Sequence, residues 1–137
     1  MKTLLFLTAE YANITADGKL NIMGIFHDIY APEFPARHSS MHLVISLEAA
    51  LGEYDQSRTF SIILMDDDAK TLMNISGPLQ IPNADRGRKP EVNVILNLND
   101  VIFPQPGHYT FVVMVDDEHK GQLSLHVNKS EIEVNPN

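Results

Sequence analysis

The chain has 137 residues, 44% of them hydrophobic and 20% charged, which is the composition of one globular domain that buries roughly two-thirds of its unfolded surface. Its net charge of −8, from 18 acidic against 10 basic side chains, opposes a phosphate backbone or an anionic membrane, so neither nucleic acid nor membrane is an expected partner. The absence of cysteine removes disulfides, thiolate nucleophiles, Cys-based zinc sites and iron–sulfur clusters.

The opening "MKTLLFLTAEYA" imitates a short signal peptide, but the apolar stretch is at the lower limit for one and Glu10 interrupts the approach to a cleavage point. A first strand over residues 3–11 is the better reading. The cytoplasm is the expected compartment, although a cysteine-free chain suits either side of a membrane. The turn "TADG" then supplies a glycine, Gly18, for a positive φ, and introduces a second strand over 19–31. That segment is apolar on both faces, Leu20, Ile22 and Phe26 alternating with Met23, Ile25 and Ile29, as in a strand at the middle of a sheet. Gly24 within it predicts a bulge or the close packing of a neighbouring side chain.

A third strand, 41–50, alternates Leu43, Ile45, Leu47 and Ala49 against His42, Ser46 and Glu48. A fourth, 58–65, joins a fifth, 70–75, through the acidic tip "DDDA", where Asp is favoured by local turn hydrogen bonds. After the irregular "GPLQIPNADRGRKP", a sixth strand over 91–98 turns Val92, Val94, Leu96 and Leu98 inward and Asn93, Asn97 and Asn99 outward. The loop "NDVIFPQPG" leads to a seventh, "HYTFVVMVD", again apolar on both sides and so central. An eighth, 121–128, reads as an edge strand, and the tail "NKSEIEVNPN" is polar enough to fray. Short strands without intervening helices predict a single all-β domain over 1–137, an antiparallel β-sandwich of about eight strands.

The order and spacing of "AEYANITADGKLNIMGIFHDI", "HLVISLEA" and "FPQPGHYTFVVMVDD" resemble a family of small bacterial domains of unknown function. The resemblance covers nearly the whole chain and implies a fold without an activity to transfer. The run "PGHYTFVVMV" is also similar to the G-x-Y-x-C run of immunoglobulin-like domains, with Phe111 in place of Cys. It implies an immunoglobulin-like sandwich, with a jelly-roll or C2-like one as the alternative. The Tyr109 hydroxyl is then expected to bond back to the backbone of residues 99–104, and Gly107 to serve the same corner.

Chemistry-bearing residues are scattered rather than patterned. Asp66, Asp67 and Asp68 could begin a calcium site that Asp116, Asp117 and Glu118 complete, but the alternation of an antiparallel sandwich puts the two loops at opposite ends. The six histidines, His27, His38, His42, His108, His119 and His126, show no H-x-H or H-E-x-x-H spacing, and no G-x-S-x-G elbow is present. Neither a metal nor a cofactor is expected, and no catalytic residue is named. Arg86, Arg88 and Lys89 form the one basic cluster, expected to balance the acidic loop at Asp116, Asp117 and Glu118. For a protein partner, the expected contact is the loop end carrying Phe34, Arg37, His38 and Phe103, where an aromatic and an Arg sit among stiffening prolines. The functional expectation is a non-catalytic binding or assembly module, with an unidentified protein as partner. The alternatives are a small enzyme or ligand carrier with an end pocket, and a homo-oligomer whose edge strands pair.

Overall fold

A computed structural model describes residues 1–53, 57–83 and 87–131. Nine strands build two sheets packed face to face. In chain order they are β1 (Lys2–Ile14), β2 (Leu20–Phe26), β3 (Asp28–Ala31), β4 (Ala36–Glu48), β5 (Ser57–Met65), β6 (Thr71–Gln80), β7 (Glu91–Phe103), β8 (Gly107–Val115) and β9 (Glu118–Lys129). The four-stranded sheet has the order β2-β1-β4-β7 and the five-stranded sheet β3-β9-β8-β5-β6.

Alternation decides what each strand buries. Along β4 the odd positions Met41, Leu43, Ile45 and Leu47 are buried against Ile62 and Leu64 of β5, Phe111 and Val113 of β8, and Leu125 and Val127 of β9, in one contiguous core. Each such side chain contributes about 1.5–3 kcal/mol by leaving water, which supplies the driving force for closing the two sheets. Phe103 and Tyr109 complete the core at one end, ring centroids 4.9 Å apart and nearly edge to face. Tyr109 Oη donates to Gln105 O at 2.6 Å. The hydroxyl thus bonds back to its corner, one residue past the expected 99–104.

The turn before β2 is as its residues predict. Gly18 has φ +86°, its N–H reaches Thr15 O at 2.9 Å, and Thr15 Oγ1 accepts the Lys19 N–H at 2.9 Å. Beyond it, three expectations need correction. The apolar segment 19–31 is not one central strand but two edge strands in different sheets, for the chain crosses at His27, whose carbonyl accepts the His126 N–H at 2.8 Å. The strand after β8 is not an edge either, because β3 pairs with it in parallel, Ile29 opposite Val127. That fragment makes the count nine rather than eight and the sandwich mostly antiparallel. The sixth strand also runs on through "NDVIF": Asp100 takes φ +56°, and pairing with β4 resumes at Val101 opposite His38.

Candidate functional site: the outward face of the four-stranded sheet

The expected partner loop is largely absorbed by the fold. Phe103 is fully buried and Phe34 is half-buried against the core. His38 packs its ring near Phe26, centroids 5.9 Å apart, with its Nε2 buried and unbonded. Arg37 alone projects, its Nε 3.6 Å from Asp100 Oδ1. Ala36 pairs with Phe103, so the two loops do share one end, but the aromatic anchors face inward.

The acidic triplets lie at opposite ends of β8. Asp66 Oδ1 accepts the N–H groups of Asp68 and Lys70, each at 2.9 Å, and Asp67 Oδ1 lies 3.2 Å from His108 Nδ1. At the far end Asp116 Oδ1 accepts the Thr59 N–H at 3.0 Å and its Oδ2 meets Arg58 Nη1 at 2.9 Å. The Thr59 N–H, then the Arg58 guanidinium, hold the Asp116 carboxyl below the ordinary range. Asp66 is thus engaged within its own turn, Asp67 with β8 and Asp116 with β5. Among the described residues no group of three or more His, Asp or Glu is placed to hold a metal. The expected balance between the basic cluster and Asp116–Glu118 is also corrected: Lys89 lies 3.8 Å from Glu48, whereas Glu118 pairs with Lys120 at 3.0 Å. Arg86 lies outside the described residues. A cleft of about 710 Å³ opens beside β6 and β7 near Lys70, Met73, Asp100 and Gln105, but Asp66 and Asp100 on its wall are already engaged.

A different surface emerges from the register. On the face of the four-stranded sheet turned away from the core, cross-strand partners form rows: Leu5, Ser46 and Asn93; Leu7, Val44 and Ile95; Ile25, Ala9, His42 and Asn97; then Met23 and Tyr11. Leu7, Ala9 and Val44 are buried here as part of a second apolar cluster, shielded by their neighbours in the sheet rather than by another layer. Around them Tyr11, Met23 and Ile25 are 48%, 64% and 54% exposed. Tyr11 stands edge-on to His42, centroids 5.3 Å apart at 62°. His42 Nδ1 and Asn93 Oδ1 are buried and have no hydrogen-bond partner among the described residues. No Asp, Glu, Lys or Arg occupies these rows; Lys2, Glu48 and Glu91 form their own row at one end, and Glu10 lies at the β2 edge against Gly24.

Gly24 shapes the edge of this face. It has φ +69°, and a Cβ there would lie 2.7 Å from Glu10 Cγ, so the glycine is what lets Glu10 lie across β2.

A family of unknown function, DUF6941, matches the chain over residues 4–128. The chain belongs to this family. No curated protein matches the sequence. Among solved structures, this DUF6941 chain is similar to the Pseudomonas fluorescens alkylpurine DNA glycosylase AlkC bound to DNA containing an abasic site analog. The TM-score is 0.53 at 10% identity, over 93% of this chain and 30% of that one. It is also similar to a Listeria innocua β-glucosidase in complex with glucose, with TM-score 0.48 at 12% identity over 77% of this chain and 15% of that one. The first likeness is one of fold alone, and the chain spans under a third of either protein.

Of the residues on this face, Met23 and Ile25 carry a signal in the sequence, whereas Tyr11 and His42, on β1 and β4, carry none that marks a shared surface. That signal is the two-sided apolar pattern of 19–31, which predicts a central strand. In an edge strand the same pattern leaves one set of side chains for another surface.

Proposed function

We propose that the domain is a non-catalytic protein-binding module whose contact surface is the outward face of the four-stranded sheet. The observation that carries this reading is the exposed trio Tyr11, Met23 and Ile25 around the buried Ala9 and Val44, over two unsatisfied polar atoms. Aromatic and Met side chains are the types enriched at protein contacts, and an orphaned acceptor such as Asn93 Oδ1 suits a donor from a partner. With strands of up to 13 residues the sheet covers about 700 Å² in plan, close to the ~800 Å² per partner of a standard interface. The tyrosine bonded back to its own corner supports an immunoglobulin-like reading of the sandwich, from which the parallel β3–β9 pair departs.

The test is affinity capture from native lysate with the wild type and with Met23→Ser/Ile25→Ser, side by side. A protein held by the wild type and lost by the variant, at equal melting temperature, supports the reading. An identical set of captured proteins, or none with the wild type, refutes it.

A further inference from the structure

Every sheet of an open sandwich has edges whose free N–H and C=O groups invite another strand, and folded chains blunt them. Among the described residues three of the four edges here are blunted. β3 is four residues long, β2 is broken by the left-handed Gly24 with Glu10 lying across it, and β6 carries Gly77 and Pro78. β7 is the exception. From Val92 to Asn99 it runs for eight residues without Pro, Gly or a charge, paired only to β4, until Asp100 interrupts it at φ +56°.

We propose that this edge is an assembly surface whose occupant is the β7 edge of a second copy, paired antiparallel about a two-fold axis at Ile95. The four-stranded sheets of two protomers then join into one of eight strands. Three observations point to a second copy. First, in a chain of net charge −8 a like-charged copy is repelled over most approaches, but from Val92 to Asn99 this strand presents none of that charge, which on β7 is confined to Glu91 and Asp100 at either side. Second, the sequence is complementary to itself in this register: Val94 meets the other copy's Leu96, Val92 meets Leu98, and Glu91 meets Asn99, so no like charges are opposed. Third, Asn93 faces the other copy's Asn97. Asn93 Oδ1 is buried and unpaired within the protomer, whereas the Asn97 Oδ1 is 3.4 Å from Ser40 Oγ, which orients its amide NH₂ outward as a donor. Each Asn93 acceptor in the pair gains an N–H, twice by symmetry. The contact is a narrow strip, the size class of weak, concentration-dependent association. It takes Asn93, Ile95 and Asn97 from the β7 margin of the face described above and leaves Tyr11, Met23 and Ile25 free at the opposite margin.

The experiment is sedimentation of the full chain over a concentration series up to the order of 100 µM, with amide exchange read along β7 at both ends of the series. The expected result is a monomer–dimer equilibrium in which alternate β7 amides gain protection as the dimer forms. Asn97→Asp removes the donor and sets a carboxylate against Asn93 Oδ1, and is expected to raise the dimer dissociation constant at least about tenfold at unchanged melting temperature. Asn93→Lys with Asn97→Asp places opposite charges across the two-fold axis and is expected to restore the dimer. A protomer mass throughout the series overturns the proposal. So does a dimer that forms without protecting β7, or one indifferent to Asn97→Asp.

Discussion

Replacing Tyr109 with Phe removes one hydroxyl, with one short hydrogen bond and one long one, from an otherwise undisturbed core. The Tyr109 hydroxyl donates to Gln105 O at 2.6 Å and accepts the Gln105 N–H at 3.4 Å, a long and weak bond, closing the corner before β8, while the ring is fully buried against Phe103. Phe keeps the ring, its volume and the edge-to-face contact. What is lost is the net worth of the bond, about 0.5–1.5 kcal/mol. The freed carbonyl belongs to an exposed residue and can rehydrate, so the further penalty of a buried orphan does not apply, and about 1 kcal/mol is expected. In a chain of this size that is roughly 3–5 °C in melting temperature. The comparison is Tyr109→Ala, which also removes the ring and should cost about 3–5 kcal/mol. Urea denaturation at neutral pH is the assay, where the phenol is protonated; burial raises its pKa, so the neutral donor persists. A shifted midpoint at constant slope is expected. Equal midpoints for Tyr109→Phe and wild type would refute the corner as a stabilising element.

Gly24→Ala should destabilise more than Gly18→Ala, because both have positive φ, costing roughly 1–2 kcal/mol, but only at Gly24 would the new Cβ meet a side chain, Glu10. Adding Glu10→Ala to Gly24→Ala should recover part of the excess, since it removes the Cγ contact and keeps the Cβ at 3.0 Å, and a strictly additive double mutant would contradict that account. Leu64→Ala, in the centre of the core, should cost about 2–5 kcal/mol by denaturant titration, and a cost under about 1 kcal/mol would show that the two sheets do not close over it. Asp116 has a lowered folded pKa, so its contribution is present above the ordinary Asp value and is lost as pH falls through the folded one. Asp116→Asn should therefore show a shallower loss of stability below about pH 4 than the wild type, and parallel curves would count against the Thr59 and Arg58 contacts.

The strands were legible where one face is buried and the other is wet. β7 shows it best: Val92, Val94, Leu96 and Leu98 alternate with Asn93 and Asn97, and the period of two fixes both strand and inward face, whereas in β4 Val44 and Ser46 are buried on the outward face as well. The central place of β8 was equally legible, since Val112 and Val113 are buried on opposite faces of the same strand. Segment 19–31 misled for a physical reason. Two-sided apolar character reports that both faces lack polar groups, not that both are covered. Sheet-switching at His27 depends on a backbone bond to His126, some 100 residues away, which no local pattern encodes. Phe34 and Phe103 misled in the opposite sense, since prolines beside an aromatic mark a stiff loop without saying which way the ring turns.

Net charge illustrates how a whole-chain quantity can miss a local one. The acidic triplets sit at the two ends of β8, and Glu48 and Glu91 at one end of the four-stranded sheet. Val44 and Ile95, in the middle of that sheet's outward face, lie four residues, about 13 Å, along the strands from Glu48 and Glu91. At physiological ionic strength the screening length is about 8 Å, so those charges act weakly there. A partner approaching Ala9, Val44 and Ile95 meets a surface close to neutral, whatever the sign of the total. The charge of −8 therefore argues against phosphate backbones at the acidic tips, and it leaves the four-stranded sheet as the part of the molecule where an acidic protein, including another copy of this one, meets the least repulsion.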